Sequence, residues 1–68
     1  MKYAVVVERS PTGFAAYVPD LPGCVAAGRT RAEVERLMRE AIQLHLEGMR
    51  EDGEPILEPT TGVDLVEV

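Results

Sequence analysis

The chain has 68 residues, one cysteine and a formal net charge of −5. Such a length holds one small domain, expected to span residues 1–68; a domain this size buries only about 60% of its unfolded surface and is expected to need a staple or a partner. One cysteine excludes an intrachain disulfide, no Cys/His group has zinc-ligand spacing, and an acidic chain repels phosphate backbones, so the expectation is a homo-oligomer (a dimer or larger) with no cofactor and no direct nucleic-acid contact.

Residues 2–8, "KYAVVVE", are β-rich, and both alternating sets are largely apolar. A strand of this kind is covered on both faces or sits in an interface, which makes Tyr3, Val5 and Val7 candidates for self-association. "RSPTG" follows, with Ser10, Pro11 and Gly13 at the first, second and fourth positions of a type I turn. "FAAYV", residues 14–18, completes a predicted antiparallel hairpin, with Phe14, Ala16 and Val18 on one side and Ala15 and Tyr17 on the other. The prolines of "PDLPG" cannot donate ladder hydrogen bonds, so pairing stops there, and "CVAAG" is read as a short third strand.

Thr30 and Glu33 have the spacing of a capping box at the start of a helix. From Arg31 to Arg50 the apolar residues Val34, Leu37, Met38, Ala41, Ile42 and Met49 recur on one helical face. Leu44 and Leu46 flank that face on opposite sides, and one flank is a second candidate for self-association. Glu35 and Arg39 stand in the favourable i, i+4 order on the outside. Gly53 suits the left-handed position after the helix, and Pro55 prevents continuation. The closing "VDLVEV", residues 63–68, is read as a final strand. The predicted order is β-β-β-α-β: an α+β fold in which a mainly antiparallel sheet carries one helix on one face.

Three sets of residues could do chemistry. Cys24 with the lone His45 would make a thiol nucleophile and its base, against the plainer reading of a buried thiol and a histidine spanning core and edge. Glu8, Asp20 and Asp64 lie near predicted strand ends, where converging carboxylates can hold Mg²⁺ for phosphodiester cleavage. Asp20 between two prolines is also a natural turn residue. Glu47, Glu51, Asp52 and Glu54 oppose the helix macrodipole, so local stability does not favour them there, and they suit a basic partner.

Several segments together resemble a known family. "MKYAVVVE", then "VPDLPGCVAAGRT" followed by a helix containing "EAIQLHLE", then "GEPILEP" are similar to the HicB-like antitoxin domain. The resemblance implies a partial ribonuclease H-like fold without nuclease activity. It also implies an antitoxin that binds a small, basic HicA-type mRNA-cleaving toxin and covers its active site, and self-association. Full-length antitoxins of the family often add a C-terminal DNA-binding region, and the chain is expected to lack one. The stretch "YVPDLPGC" then becomes the joint between the second and third strands, with Asp20 and Cys24 in geometric and packing roles and Asp20 open to a side role in partner contact. The competing reading is a solitary homo-oligomeric domain with a residual metal-dependent nuclease activity or another role. With neither a secretory signal nor an apolar run long enough to span a bilayer, the expected location is the cytoplasm, with no membrane contact.

Overall fold

The computed structural model describes residues 1–68 as three strands followed by one helix. β1 (Val6–Ser10) and β2 (Gly13–Tyr17) form the expected antiparallel hairpin, in register from Ser10↔Gly13 to Val6↔Tyr17. β3 (Val25–Gly28) pairs antiparallel with β2, from Tyr17↔Val25 to Phe14↔Gly28, which places β2 in the middle of the sheet. The pleat sorts the side chains: Val7, Ala16 and Ala26 align on one face, and Val6, Tyr17 and Val25 on the other.

Between β2 and β3 the backbone makes two consecutive turns. The Leu21 N–H donates to the Val18 carbonyl at 3.1 Å, and the Cys24 N–H donates to the Leu21 carbonyl at 3.0 Å. The Val18 N–H closes the loop on the Cys24 carbonyl at 3.2 Å. Pro19 and Pro22 each take the second position of a turn, where their fixed φ fits. Gly23 follows at φ 85°, the type II geometry that a side chain would strain. The result turns Val18, Leu21 and Cys24 inward, and all three are buried.

These turns also correct two strand boundaries. The first strand was expected from residue 2, but its ladder begins at Val6. Beyond Tyr17 the backbone of its partner is committed to the turns and Pro19 has no N–H, so residues 2–5 find nothing to pair with on β2. Cys24 likewise belongs to the second turn, and β3 starts at Val25.

The helix α1 (Arg31–Glu51) starts at its expected cap: the Glu33 N–H donates to Thr30 Oγ1 at 3.1 Å. The Glu33 side chain lies over Gly28, where an added Cβ would come within 2.7 Å of Glu33 Oε1 and 3.1 Å of Val34 Cγ2. Glycine at position 28 is therefore what lets β3 approach the first turn of the helix. At the other end the Gly53 N–H donates to the Arg50 carbonyl and the Glu54 N–H to the Met49 carbonyl, the paired bonds of a Schellman stop.

The helix packs over β2 and β3. Its buried Val34 and Met38 meet Ala16, Val18, Leu21 and Cys24, and these are the only six buried residues of 68. Ala41, Ile42, Leu46 and Met49 pack around them, as do Tyr3, Val5, Val7 and Phe14. Leu44 does not flank the core; it is 68% exposed. On the outer face Glu35 pairs with Arg31 at 3.4 Å rather than with Arg39, and Arg36 pairs with Glu40 at 3.5 Å. Both pairs are exposed and contribute about 0.3–0.5 kcal/mol each.

The expected strand over residues 63–68 is not formed within the chain: the segment joins no sheet, and every residue of it is exposed. The chain just before it, Thr60 and Thr61, is held by Asp20 in the turns between β2 and β3, and the segment leaves the body from there without joining a strand edge.

Leu21→Ala is expected to cost about 2–5 kcal/mol, because it opens a cavity in a core of six residues. Leu44→Ala should stay within about 0.5 kcal/mol of the parent. Gly48→Ala should stabilise by about 0.5–1 kcal/mol, since position 48 is helical, in the last turn of α1, and an added Cβ meets nothing within 4 Å. Urea denaturation at one fixed protein concentration checks all three.

Candidate functional site

The four carboxylates picked out at the helix end gather at one pole of the molecule. Glu47 and Glu51 lie on α1, Asp52 is its C-cap and Glu54 follows the stop; all four are exposed. None has an intrachain ion pair, since the two pairs present join Arg31 to Glu35 and Arg36 to Glu40. Arg50 is the one base in the last turn. The negative end of the helix dipole adds to the potential there, so this pole attracts cations.

Asp20 reaches the same pole but is already engaged. Its Oδ1 accepts the Thr60 N–H at 3.4 Å and the Thr60 hydroxyl at 3.3 Å, and its Oδ2 accepts the Thr61 N–H at 3.2 Å. Partial desolvation acts to raise its pKa, but the hydrogen bonds from Thr61 and Thr60 together outweigh it and hold the carboxyl below its ordinary 3.8. Beside this clip, Pro55, Ile56, Leu57 and Thr60 line a shallow cavity with Leu21 and Met49. A carboxylate read from the sequence as a turn residue or a partner contact is thus an internal tether for a segment 40 residues away.

The residues considered for self-association divide. Tyr3, Val5 and Val7 line one groove of about 600 Å³ with Met38 and Ile42 of α1. Leu46 packs against the core of its own chain, and Leu44 points to solvent. Lys2, Arg31, Glu35 and Arg39 rim the groove, giving it a net positive edge that the reading of the sequence missed. The signal was present: positions 31, 35, 39 and 42 follow a single helical flank.

The chemistry-bearing sets do not assemble. Burial pushes the Cys24 thiol up, away from the thiolate, and no hydrogen bond joins it to His45. Glu8 is exposed on β1, Asp20 is clipped to Thr60 and Thr61, and Asp64 lies in the exposed last segment; no three acids, cysteines or histidines converge in a metal-binding group. No helix is long and apolar enough to cross a membrane.

Residues 3–67 match the family described as HicB-like antitoxin of bacterial toxin-antitoxin systems. An uncharacterized protein of Haemophilus phage HP1 is 43% identical over 56 residues, which cover 82% of this chain and 42% of that protein. A UPF0150 protein of Archaeoglobus fulgidus is 41% identical over 71 residues, covering 100% of this chain and 96% of the relative. Among solved structures, a chain of a HicA3 and HicB3 toxin-antitoxin complex superposes with a TM-score of 0.74 at 32% identity, over 88% of this chain and 70% of that one. The crystal structure of antitoxin HicB3 superposes with a TM-score of 0.73 at 32% identity, over 88% of this chain and 44% of that one. The chain therefore spans less than half of the phage protein and of that HicB3 chain, and nearly all of the Archaeoglobus relative.

The clip makes a pH-dependent prediction. A carboxyl whose folded pKa is lowered contributes stability above its unfolded value of 3.8 and loses it as pH falls through the folded value. In an NMR titration the Thr60 and Thr61 amide signals should shift together with the Asp20 carboxyl, at a midpoint below 3.8. Asp20→Asn exchanges one acceptor for a donor, so at neutral pH one of the two amides should lose its partner and exchange faster with solvent.

Proposed function

The chain belongs to the HicB-like antitoxin family of bacterial toxin-antitoxin systems, and from that premise we propose that it neutralises a small, basic HicA-type mRNA-cleaving toxin by direct contact, and does no chemistry of its own. The observation that carries this reading is the likeness, over 88% of the chain, to a chain of a HicA3 and HicB3 toxin-antitoxin complex. The charge supports it. An RNA-cleaving toxin must present positive charge to phosphate, and a protein that blocks it gains by presenting carboxylates.

Glu47, Glu51, Asp52 and Glu54 are the docking charges in this reading, since they are exposed and unpaired at a helix end that does not favour them. Asp20 acts behind them: its hydrogen bonds to Thr60 and Thr61 fix the post-helix segment beside the acidic pole. The protein would act in the cytoplasm, where mRNA is the target of the toxin. A residual metal-dependent nuclease draws no support from the geometry, because Glu8, Asp20 and Asp64 do not converge.

Reversing Glu47 and Glu51 to Lys should weaken toxin binding roughly tenfold at low salt, about 1.4 kcal/mol, with the difference shrinking as salt rises. Circular dichroism should show the helix kept, since the new charges suit its C-terminus. Affinity and salt dependence equal to the parent's would make the acidic pole a solvated face. Purified protein should leave RNA and DNA uncut with Mg²⁺ or Mn²⁺; cleavage that vanishes in Asp64→Asn would reverse the non-enzymatic reading.

A further inference from the structure

The sheet has two open edges, and the helix leaves one of them, β1, uncovered. β1 is an edge strand, and α1 packs over β2 and β3 rather than over it. The helix-facing side of β1 and of the segment leading into it is therefore open: Tyr3 and Val5 before the strand and Val7 within it are only half-buried and face Met38 and Ile42 across the groove. The outer N–H and C=O groups of β1 have no partner, which makes the edge a template for another strand.

The same chain carries a segment without a seat. In Val63–Val68, Leu65 is 97% and Val66 79% exposed, and Val63 and Val68 are also exposed. The Asp20 hydrogen bonds to Thr60 and Thr61 fix the point from which it leaves the body. Extended, six residues span about 20 Å, the length of an ordinary strand. Either face would offer two apolar side chains to the groove floor and one acid, Asp64 or Glu67, to its rim.

We propose that Val63–Val68 of one copy adds as a strand to the β1 edge of a second copy, seated in the groove between β1 and α1, and that the exchange is reciprocal. Charge selects this occupant. The rim has Lys2, Arg31 and Arg39 against Glu35 alone, so it attracts the acidic segment and repels a basic toxin. The segment does not lie on its own edge, where all six residues would lose exposure. Reciprocal exchange occupies the β1 edge of each copy and closes this contact at two. It also adds apolar burial to a chain that hides only six residues alone. The inference stands apart from the toxin reading, since its test needs only this protein.

Light scattering at micromolar concentration should give a dimer. Leu65→Asp with Val66→Asp should weaken dimerisation roughly a hundredfold, with helix content unchanged by circular dichroism because neither side chain packs on its own body. Two charge-reversed chains test the seat itself: one with Asp64→Lys and Glu67→Lys, the other with Lys2→Glu and Arg39→Glu. Each alone sets like charges against each other and should be monomeric, while their mixture restores both contacts and should form a heterodimer. A monomeric parent overturns the proposal. So do reversed chains that each still dimerise, which would place the contact on another face, and a mixture that stays monomeric, as it would if each segment served its own chain. β1 amides that become protected from exchange only when a toxin is added would assign the edge to the toxin and overturn it as well.

Discussion

The pair of proline turns from Val18 to Cys24 is the constraint on which the rest of the molecule depends. Three backbone hydrogen bonds close it, and it delivers Val18, Leu21 and Cys24, half of all the buried residues, to one place under the helix. A fully buried Leu or Val side chain is worth about 1.5–3 kcal/mol relative to exposure, so the turns organise a large part of the apolar stabilisation of so small a core. They also end the β1–β2 ladder, start β3, and point the Asp20 carboxylate outward to capture Thr60 and Thr61. One rigid stretch thus sets the sheet, the core and the path of the chain after the helix.

The helix divides the surface into two electrostatic districts. Its C-terminal end is acidic and carries no intrachain ion pair, while its middle flank lends Arg31 and Arg39 to the rim of the β1 groove. At physiological ionic strength charges beyond about 8 Å are largely screened, so each district acts on what docks against it rather than on the net charge of the whole. In the readings proposed above, the acidic pole meets a basic toxin and the basic rim meets the acidic last segment of a second copy. Separate poles would let both partners bind without competing for one surface.

Much of the local structure was legible in the sequence. The hairpin turn at Pro11, the double break at "PDLPG", the Thr30 cap and the stop at Gly53 each depend on residues within a few positions of one another. The acidic helix end was legible for the same reason: four carboxylates within eight positions on one helix end share a place whatever the fold does elsewhere. The strand ends were less so. That β1 starts at Val6 instead of residue 2 reflects where its partner strand turns away, which residues 2–5 do not encode.

By itself the sequence determined the first three strands, the helix and their order, the apolar face of the helix and the family likeness, because short-range hydrogen bonds, fixed proline angles and helical periodicity are written in neighbouring residues. Tertiary structure alone decided that Asp20 is bound to Thr60 and Thr61, that Leu46 serves the core while Leu44 does not, that Glu35 turns to Arg31, and that "VDLVEV" finds no place on its own sheet. Each of these turns on which of several compatible partners arrives within a few ångströms. That is settled by how the helix lies across β2 and β3, a balance of packing over the whole chain that no local pattern carries.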